Sequence, residues 1–449
     1  MTGAGTAVVC AGCGFEAPAE EPYPFTCPKV RSGDDIDHVV VRVLDPEHVS
    51  FPVGDEANPF ARYRELFHAY HVGLRHGMPD AEYVELVDEL DERVAEVDGH
   101  GFAVTPFARA GELSDRLGFA REGGVWVKDE TGNVSGSHKA RHLMGVMVHL
   151  LAVERLGLAP DEHRPDLAIS SCGNAALAAA VVARAAAWPL RVFVPTWADR
   201  VVLARLESLG AAVTVCPRED GVPGDPAYHA FRRAVEEGAL AFSTQGPDNG
   251  LTIEGGETLA FEMVTELART GEGLGRLFVQ VGGGALASSC IRGFEDAALL
   301  EAPVRLPRIH AVQTEGAHPL ERAFGLVRER AGPEPTPVSV VEAMDHARTH
   351  RSQFMWPWEE EPRSIATGIL DDETYDWAAV VSGMLATDGS PVVVSEDRLL
   401  QANDLARDAT GVDVDPTGSS GLSGLLELRQ RGEIDPTERI AVLFTGVRR

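Results

Sequence analysis

The chain has 449 residues, and 40 Lys and Arg against 69 Asp and Glu leave a formal net charge of -29 at pH 7. That balance argues against nucleic acid or an anionic membrane as the main partner. With 44% hydrophobic and 24% charged residues, the composition supports a large core, excludes wholesale disorder and suits two or three structural units.

In chain order, Met1 to Gly14 lacks the basic start and long apolar run of a signal peptide, no stretch reaches membrane-span length, and a cytoplasmic protein is expected. Cys10-x2-Cys13 and Cys27 are candidate metal ligands with most of a zinc-ribbon spacing, but Val30 stands where a fourth cysteine would complete it. His38 or Asp35 would have to close a zinc site, and a degenerate, metal-free knuckle is the favoured alternative. From Asn58 to Val97 the apolar residues fall at helical spacing, with Tyr63, Leu66, Phe67 and Tyr70 on one face and Tyr83, Leu86, Val87 and Leu90 on another. Val125 to Lys128 reads as a strand; a polar loop follows, and the apolar positions Met144, Met147, Leu150 and Leu151 place Lys139 near a helix start.

Strands and helices then alternate: Leu167 to Ile169, Ala175 to Ala187, Leu190 to Val194, Arg200 to Leu209 and Ala212 to Val215. The rhythm predicts a doubly wound parallel sheet with right-handed crossovers. A further strand, Leu277 to Val281, runs into Gly282-Gly283-Gly284 and a helix from Ala285. Gly332 to Glu361 is rich in Pro and Trp without a period and reads as an inserted loop, with Trp356 and Trp358 packed on their own domain rather than over an entrance.

Lysine is the rarest cation here, three residues (Lys29, Lys128 and Lys139) against thirty-seven arginines. A surface lysine can be exchanged for arginine under such a bias, whereas a Schiff-base lysine cannot, because guanidinium does not form an imine at neutral pH. Lys139 at a helix start also feels a dipole that disfavours its charged form. The glycines 282 to 284 allow close backbone approach to an anion, with amides and a helix dipole behind them. Ser170-Ser171-Cys172-Gly173-Asn174-Ala175 lies at another strand-to-helix turn, where hydroxyls and amides can hold a carboxylate and Asn174 can donate to a phenolate; a plain capping loop is the alternative. Thr417, in Asp415-Pro416-Thr417-Gly418-Ser419-Ser420-Gly421, can bond a ring nitrogen; a solvated turn is the alternative. His346 and His350 have an i, i+4 metal spacing but no third ligand, and Cys172 has no partner base; neither is favoured as a site.

Taken together and in this order, these motifs resemble the fold-type II pyridoxal 5'-phosphate (PLP) enzymes, the tryptophan synthase β-like superfamily, over most of the chain from about Thr105. The resemblance implies an α/β fold of two open doubly wound sheets, with residues 59–150 and 250–449 forming the larger, PLP-binding domain, 151–249 a smaller mobile one and 1–58 a Cys-containing N-terminal extension. It also implies that Lys139 is the Schiff-base lysine and catalytic base. Lys139, His138, Asn174, Gly282, Gly283, Gly284, Ala285 and Thr417 would hold the cofactor, while Ser170, Ser171, Cys172, Gly173 and Asn174 would hold the substrate carboxylate. Tyr63-Arg64-Glu65-Leu66, the Cys-bearing start and Glu254-Gly255-x2-Thr258-x-Ala260-x-Glu262 are similar to threonine synthases. The glycine loop and Asp415 to Gly418 are similar to serine/threonine dehydratases, and His138, where both groups carry Phe, matches the tryptophan synthase β pattern. The expected function is elimination or replacement at Cβ or Cγ of an amino acid, threonine synthase-like. Serine/threonine deamination, β-replacement in specialised metabolism and a non-catalytic PLP-binding homologue are the alternatives. The expected partner is an amino-acid substrate, and the resemblance allows a homodimer.

Overall fold

The computed structural model describes residues 5–159, 163–218 and 224–449. Its strands are β1 (Thr6–Cys10), β2 (Val40–Leu44), β3 (Phe107–Arg109), β4 (Gly124–Asp129), β5 (Leu167–Ser170), β6 (Leu190–Pro195), β7 (Ala212–Cys216), β8 (Leu240–Ala241), β9 (Arg276–Gln280), β10 (Arg308–Thr314), β11 (Val392–Val394) and β12 (Arg439–Phe444). They form a six-stranded sheet in the order β11-β10-β9-β12-β4-β3, a four-stranded sheet β7-β6-β5-β8 and an antiparallel pair β1-β2. The four-stranded sheet is wholly parallel. In the larger sheet only the edge strand β3 runs antiparallel.

Both larger sheets carry helices on each face, which is why their inner strands read as unbroken apolar runs rather than alternating ones. On the six-stranded sheet, one core packs the helices Thr252–Thr270 and Ala285–Leu299 against β9 and β10, and another packs Glu396–Thr410 and Ser420–Gln430 against the opposite face. Around the four-stranded sheet, the helices Asp80–Asp98, Lys139–Arg155 and Asn174–Ala185 share the largest core, and Pro226–Glu236 covers the far side. The helix Lys139–Arg155 crosses Thr252–Thr270 so closely that a Cβ at Gly145 would lie 2.8 Å from the Gly255 Cα.

A buried ionic network braces that crossing. Arg141 donates to Glu130 (2.7 Å), Glu262 (2.6 Å) and the Thr258 hydroxyl (3.0 Å), and Lys128 donates to Glu262 and to the Thr105 carbonyl (2.8 Å). A second network ties β2 to the body, where buried Arg42 pairs with Glu257, Asp296 (2.7 Å) and Glu254 (3.4 Å). Within Glu254 to Glu262, the stretch similar to threonine synthases, Glu254, Glu257, Thr258 and Glu262 therefore belong to these two networks, and Gly255 permits the close crossing.

One sequence expectation fails. Within 332–361, read as a loop without regular structure, Pro337–Thr349 is an α-helix. Its start is fixed by a capping box between Thr336 and Ser339 with Pro337 at the first position, and only Ala343, Met344 and Ala347 are buried. So narrow an apolar stripe leaves little periodicity to read. His346 and His350 stack on one another at 3.9 Å between ring centroids, and His350 bonds the His346 carbonyl. The two tryptophans pack on their own neighbourhood as expected: the Arg322 guanidinium lies 3.7 Å from the Trp356 ring centroid, and Trp358 packs against His318. Among the described residues no helix is long and apolar enough to cross a membrane.

Candidate active site

The loops that follow β4, β5, β9 and β12 come together with the turn around Thr417 and the segment from Ala366 to Asp376. In open α/β sheets, the crevice outside the carboxyl ends of the strands is where ligands bind. β4 and β12 pair in register up to Asp129 and Phe444, so their following loops start level. Ser137 bridges Gly446, and the His138 amide donates to the Thr445 carbonyl (3.1 Å). This pairing holds the start of the helix Lys139–Arg155 against the end of the chain.

Lys139 is the first residue of that helix, and no side chain caps the helix start. Ser137 and Ala140 beside it are completely buried, while Lys139 keeps part of its surface open. Burial pushes its ammonium below the usual lysine range, and the carboxylates of Asp371 and Asp376 oppose that shift. Among the described residues it makes no ion pair. His138 is buried and held well below the usual imidazole range, first by burial and then by Lys139, so it is neutral; its Nδ1 bonds the Thr445 carbonyl (3.2 Å) and its Nε2 has no protein partner.

β9 leads through Val281 into Gly282, Gly283 and Gly284, and the helix Ala285–Leu299 begins without a side-chain cap. Gly284 adopts φ +98°, which disfavours any residue with a Cβ. A Cβ at Gly282 would overlap the Asp371 carboxylate, and one at Gly283 would come 2.9 Å from the Tyr375 ring. Asp376 donates its amide to the Gly283 carbonyl (2.9 Å), and Asp371 accepts from the Gly283 amide. Burial pushes Asp371 up to about 6 and Asp376 up to about 7, with Lys139 pulling both back.

Ser170, Ser171, Cys172, Gly173 and Asn174 are all half-buried and end at the start of the helix Asn174–Ala185, again without a side-chain cap. The Asn174 Oδ1 accepts from the Arg449 guanidinium (3.2 Å), which directs its amide nitrogen toward the Gly446 side. Burial raises the Cys172 thiol, which makes it a poorer nucleophile. Thr417 lies across from this loop, and its hydroxyl accepts from the Gly368 amide (3.1 Å). Gln280 at the end of β9 bonds the Gly418 carbonyl (2.8 Å) and the Thr445 hydroxyl (2.7 Å), locking the Thr417 turn to the end of β12.

The sequence profile described as "Pyridoxal-phosphate dependent enzyme" matches residues 100–446. The chain belongs to that family. Among curated relatives of this PLP-dependent enzyme, the threonine synthase of Methanocaldococcus jannaschii is 24% identical over 344 residues, 76% of this chain and 74% of that one. A serine dehydratase-like protein of Mus musculus is 30% identical over 250 residues, 56% of this chain and 68% of that one. Among solved structures, threonine deaminase isoform 2 from Solanum lycopersicum superposes with a TM-score of 0.58 at 18% identity, covering 83% of this chain and 91% of that one. The fold is that of the fold-type II PLP enzymes, as the motifs led one to expect, and the cofactor is PLP.

Lys139, His138, the turn from Ser170 to Asn174, Gly282 to Ala285 and Thr417 all border this one crevice, whereas Cys10, Cys13 and Cys27 do not. Cys10, Cys13 and Cys27 cluster elsewhere, in the N-terminal segment, together with His38. Asp35, the other residue considered for that cluster, instead binds the Ser352 amide (2.7 Å) and hydroxyl (3.0 Å). The segment Gly368 to Asp376 was not anticipated at the crevice. In so acidic a chain, no local pattern separates Asp371 and Asp376 from the other carboxylates.

Proposed function

We propose that this enzyme is a lyase or synthase acting at Cβ or Cγ of an amino acid that carries a leaving group, and that it performs replacement in the manner of a threonine synthase. The observation that carries this reading is the Thr417 hydroxyl. It already accepts a hydrogen bond from Gly368, so its hydrogen is left to donate, which matches an unprotonated ring nitrogen. A neutral partner there gives a weaker electron sink than a carboxylate would, and that suits elimination and replacement better than transamination.

The other residues fit the cofactor. Lys139 would hold it covalently through Nζ, the amides from Gly282 to Ala285, that of Gly283 once it leaves the Asp371 carboxylate, would take the phosphate at an uncapped helix start, and the amide nitrogen of Asn174 would take the phenolic oxygen. His138, neutral and wedged between Lys139 and Thr445, would pack at the same site. PLP, when bound, supplies an electron-withdrawing π system that makes the substrate's α-proton removable. Ser170, Ser171, Cys172, Gly173 and Asn174 would bind the substrate carboxylate with hydroxyls and free helix amides. Lys139, its ammonium disfavoured by burial, would take the α-proton and later return a proton.

Deamination of serine or threonine is a second reading, favoured by the acids around Lys139. Asp371 and Asp376 face it, and Asp372 adjoins them. A phosphate leaving group would meet these carboxylates, whereas a hydroxyl group leaves as water. The test is the purified holoenzyme given O-phosphohomoserine, L-threonine, L-serine and O-acetylserine. Phosphate and threonine from the first supports replacement, and 2-oxo acid with ammonia from threonine or serine supports deamination. No turnover of any of the four overturns both readings.

A further inference from the structure

Outside the crevice, the N-terminal segment assembles a second site of different chemistry. Cys10 ends β1, Cys13 follows in a tight turn closed by the Gly14 amide on the Cys10 carbonyl (2.9 Å), and Cys27 and His38 return from a long excursion to meet them. The four ligand atoms all lie within 4.8 Å of one another. Cys13 Sγ is 3.6 Å from Cys27 Sγ, and Cys10 Sγ is 3.5 Å from His38 Nδ1. A disulfide would require about 2.05 Å between the sulfurs, so these are free thiols held apart. In a tetrahedral zinc site with bonds of about 2.3 Å to sulfur and about 2.0 Å to nitrogen, the edges are about 3.8 Å between two sulfurs and about 3.5 Å between sulfur and nitrogen. The two observed separations are close to those edges.

The surroundings are arranged for a cation as well. Backbone amides point at the sulfurs: those of Gly12 and Cys13 at Cys10, that of Phe15 at Cys13 and that of Lys29 at Cys27. Such donors stabilise thiolates. The other ring nitrogen of His38, Nε2, bonds the Asp34 carboxylate (3.0 Å), which orients the ring and leaves Nδ1 toward the sulfurs.

We propose that Cys10, Cys13, Cys27 and His38 bind one zinc ion as a structural Cys3His site, the three thiols losing their protons to solvent as the metal enters. With four protein ligands no position is left open for chemistry, so the ion acts on the fold. It fixes the excursion between Cys13 and His38 to the body: the Phe25 carbonyl accepts from the Gly250 amide (2.9 Å), and the Asp37 amide donates to the Arg348 carbonyl (2.7 Å). Val39, next to His38, lies beside Gly246, whose amide donates to Asp376 (3.2 Å) at the edge of the crevice. The zinc site thus backs one wall of the catalytic cleft without reaching into it.

The test is metal analysis of the holoenzyme purified with zinc in the growth medium and without chelators. One zinc per chain is expected, lost in Cys13→Ser and Cys27→Ser, retained in His38→Cys, and bound about 10–100-fold more weakly in Asp34→Asn. Because the serine variants can fail to fold, the wild-type protein is also loaded with cobalt(II). Intense tetrahedral ligand-field bands with thiolate charge-transfer absorption are expected, together with release of one metal per three thiols blocked by a mercurial reagent. Substoichiometric zinc in the wild-type protein, or an octahedral cobalt spectrum, overturns the proposal. Neither readout depends on catalysis, so the outcome is independent of the reaction assigned above.

Discussion

Two lysines eleven positions apart, one at each end of the loop that follows β4, meet opposite fates. Lys128 has no exposed surface, and burial pushes its ammonium down, but it is held by Glu262 and by the Thr105 carbonyl and shares its surroundings with Glu130 and Arg141. Lys139 is also pushed down by burial, yet its side is open to the crevice and it feels Asp371 and Asp376 only through space. Asp376 itself holds its proton up to about 7. Burial alone therefore does not make a lysine reactive. A reactive lysine needs burial without hydrogen-bonded neutralisation, whereas a buried lysine with satisfied donors is a structural cation.

Exchanging the two roles is the most direct way to break this contrast. On the function proposed above, Lys139→Ala should lower turnover by at least about 10³-fold and abolish the visible absorption of lysine-bound cofactor, because it would remove both the covalent anchor and the base. The measurement is an absorption spectrum together with initial rates on whichever substrate the panel identifies. Lys128→Met should leave that absorption intact while costing about 3–5 kcal/mol of stability, since Glu130 and Glu262 would then share only Arg141. Urea unfolding monitored by circular dichroism checks it. A loss of cofactor absorption in Lys128→Met, with stability unchanged, would reverse the assignment.

The same contrast explains how much of the molecule could be read from sequence. Lys139, the glycines 282 to 284 and the turn at Ser170 were legible because each sits at a strand-to-helix junction, and Thr417 because its turn opens the helix Ser420–Gln430; at such places glycine, hydroxyl and amide residues leave a local pattern. The alternation from Leu167 to Val215 likewise gave the parallel sheet. Lys128 was visible only as a residue in a strand; its partners Glu130, Arg141 and Glu262 are up to 134 positions away, and a network closed by tertiary contact leaves no spacing to detect. Asp371 and Asp376 were hidden for the same reason, and the helix Pro337–Thr349 because it buries too narrow a stripe. His38, one of two residues considered as a fourth ligand, was separated from Asp35 only by the fold, which turns Asp35 to Ser352.

A smaller effect sharpens the crevice side of the contrast. Thr417→Val removes the hydroxyl that receives the Gly368 amide and would donate to the ring nitrogen, so kcat/KM should fall about 10-fold, the equivalent of one hydrogen bond of about 1.4 kcal/mol. Thr417→Ser should recover most of it. Steady-state kinetics on the two variants, with cofactor content measured in parallel, separates lost chemistry from lost binding. Equal rates in Thr417→Val and wild type would remove the hydroxyl from the mechanism.

An effect on stability rather than on turnover concerns Asp376. Its carboxyl is raised to about 7 in the folded protein, mainly by burial, whereas an unfolded chain releases that proton near 3.8. Between these values the folded state binds the proton and the unfolded state does not, so the stabilising contribution is full below pH 3.8 and is lost as pH rises through about 7. The Gly246 amide and Lys139 favour the ionised form and keep that value from rising further. From pH 5 to pH 8, wild-type stability should therefore fall by about 2–3 kcal/mol more than that of Asp376→Asn, which cannot ionise. Urea midpoints of both proteins at the two pH values give the difference. Parallel pH slopes would mean that Asp376 is ionised throughout and pairs with Lys139 more strongly than its geometry indicates, which would bring the environment of Lys139 closer to that of Lys128.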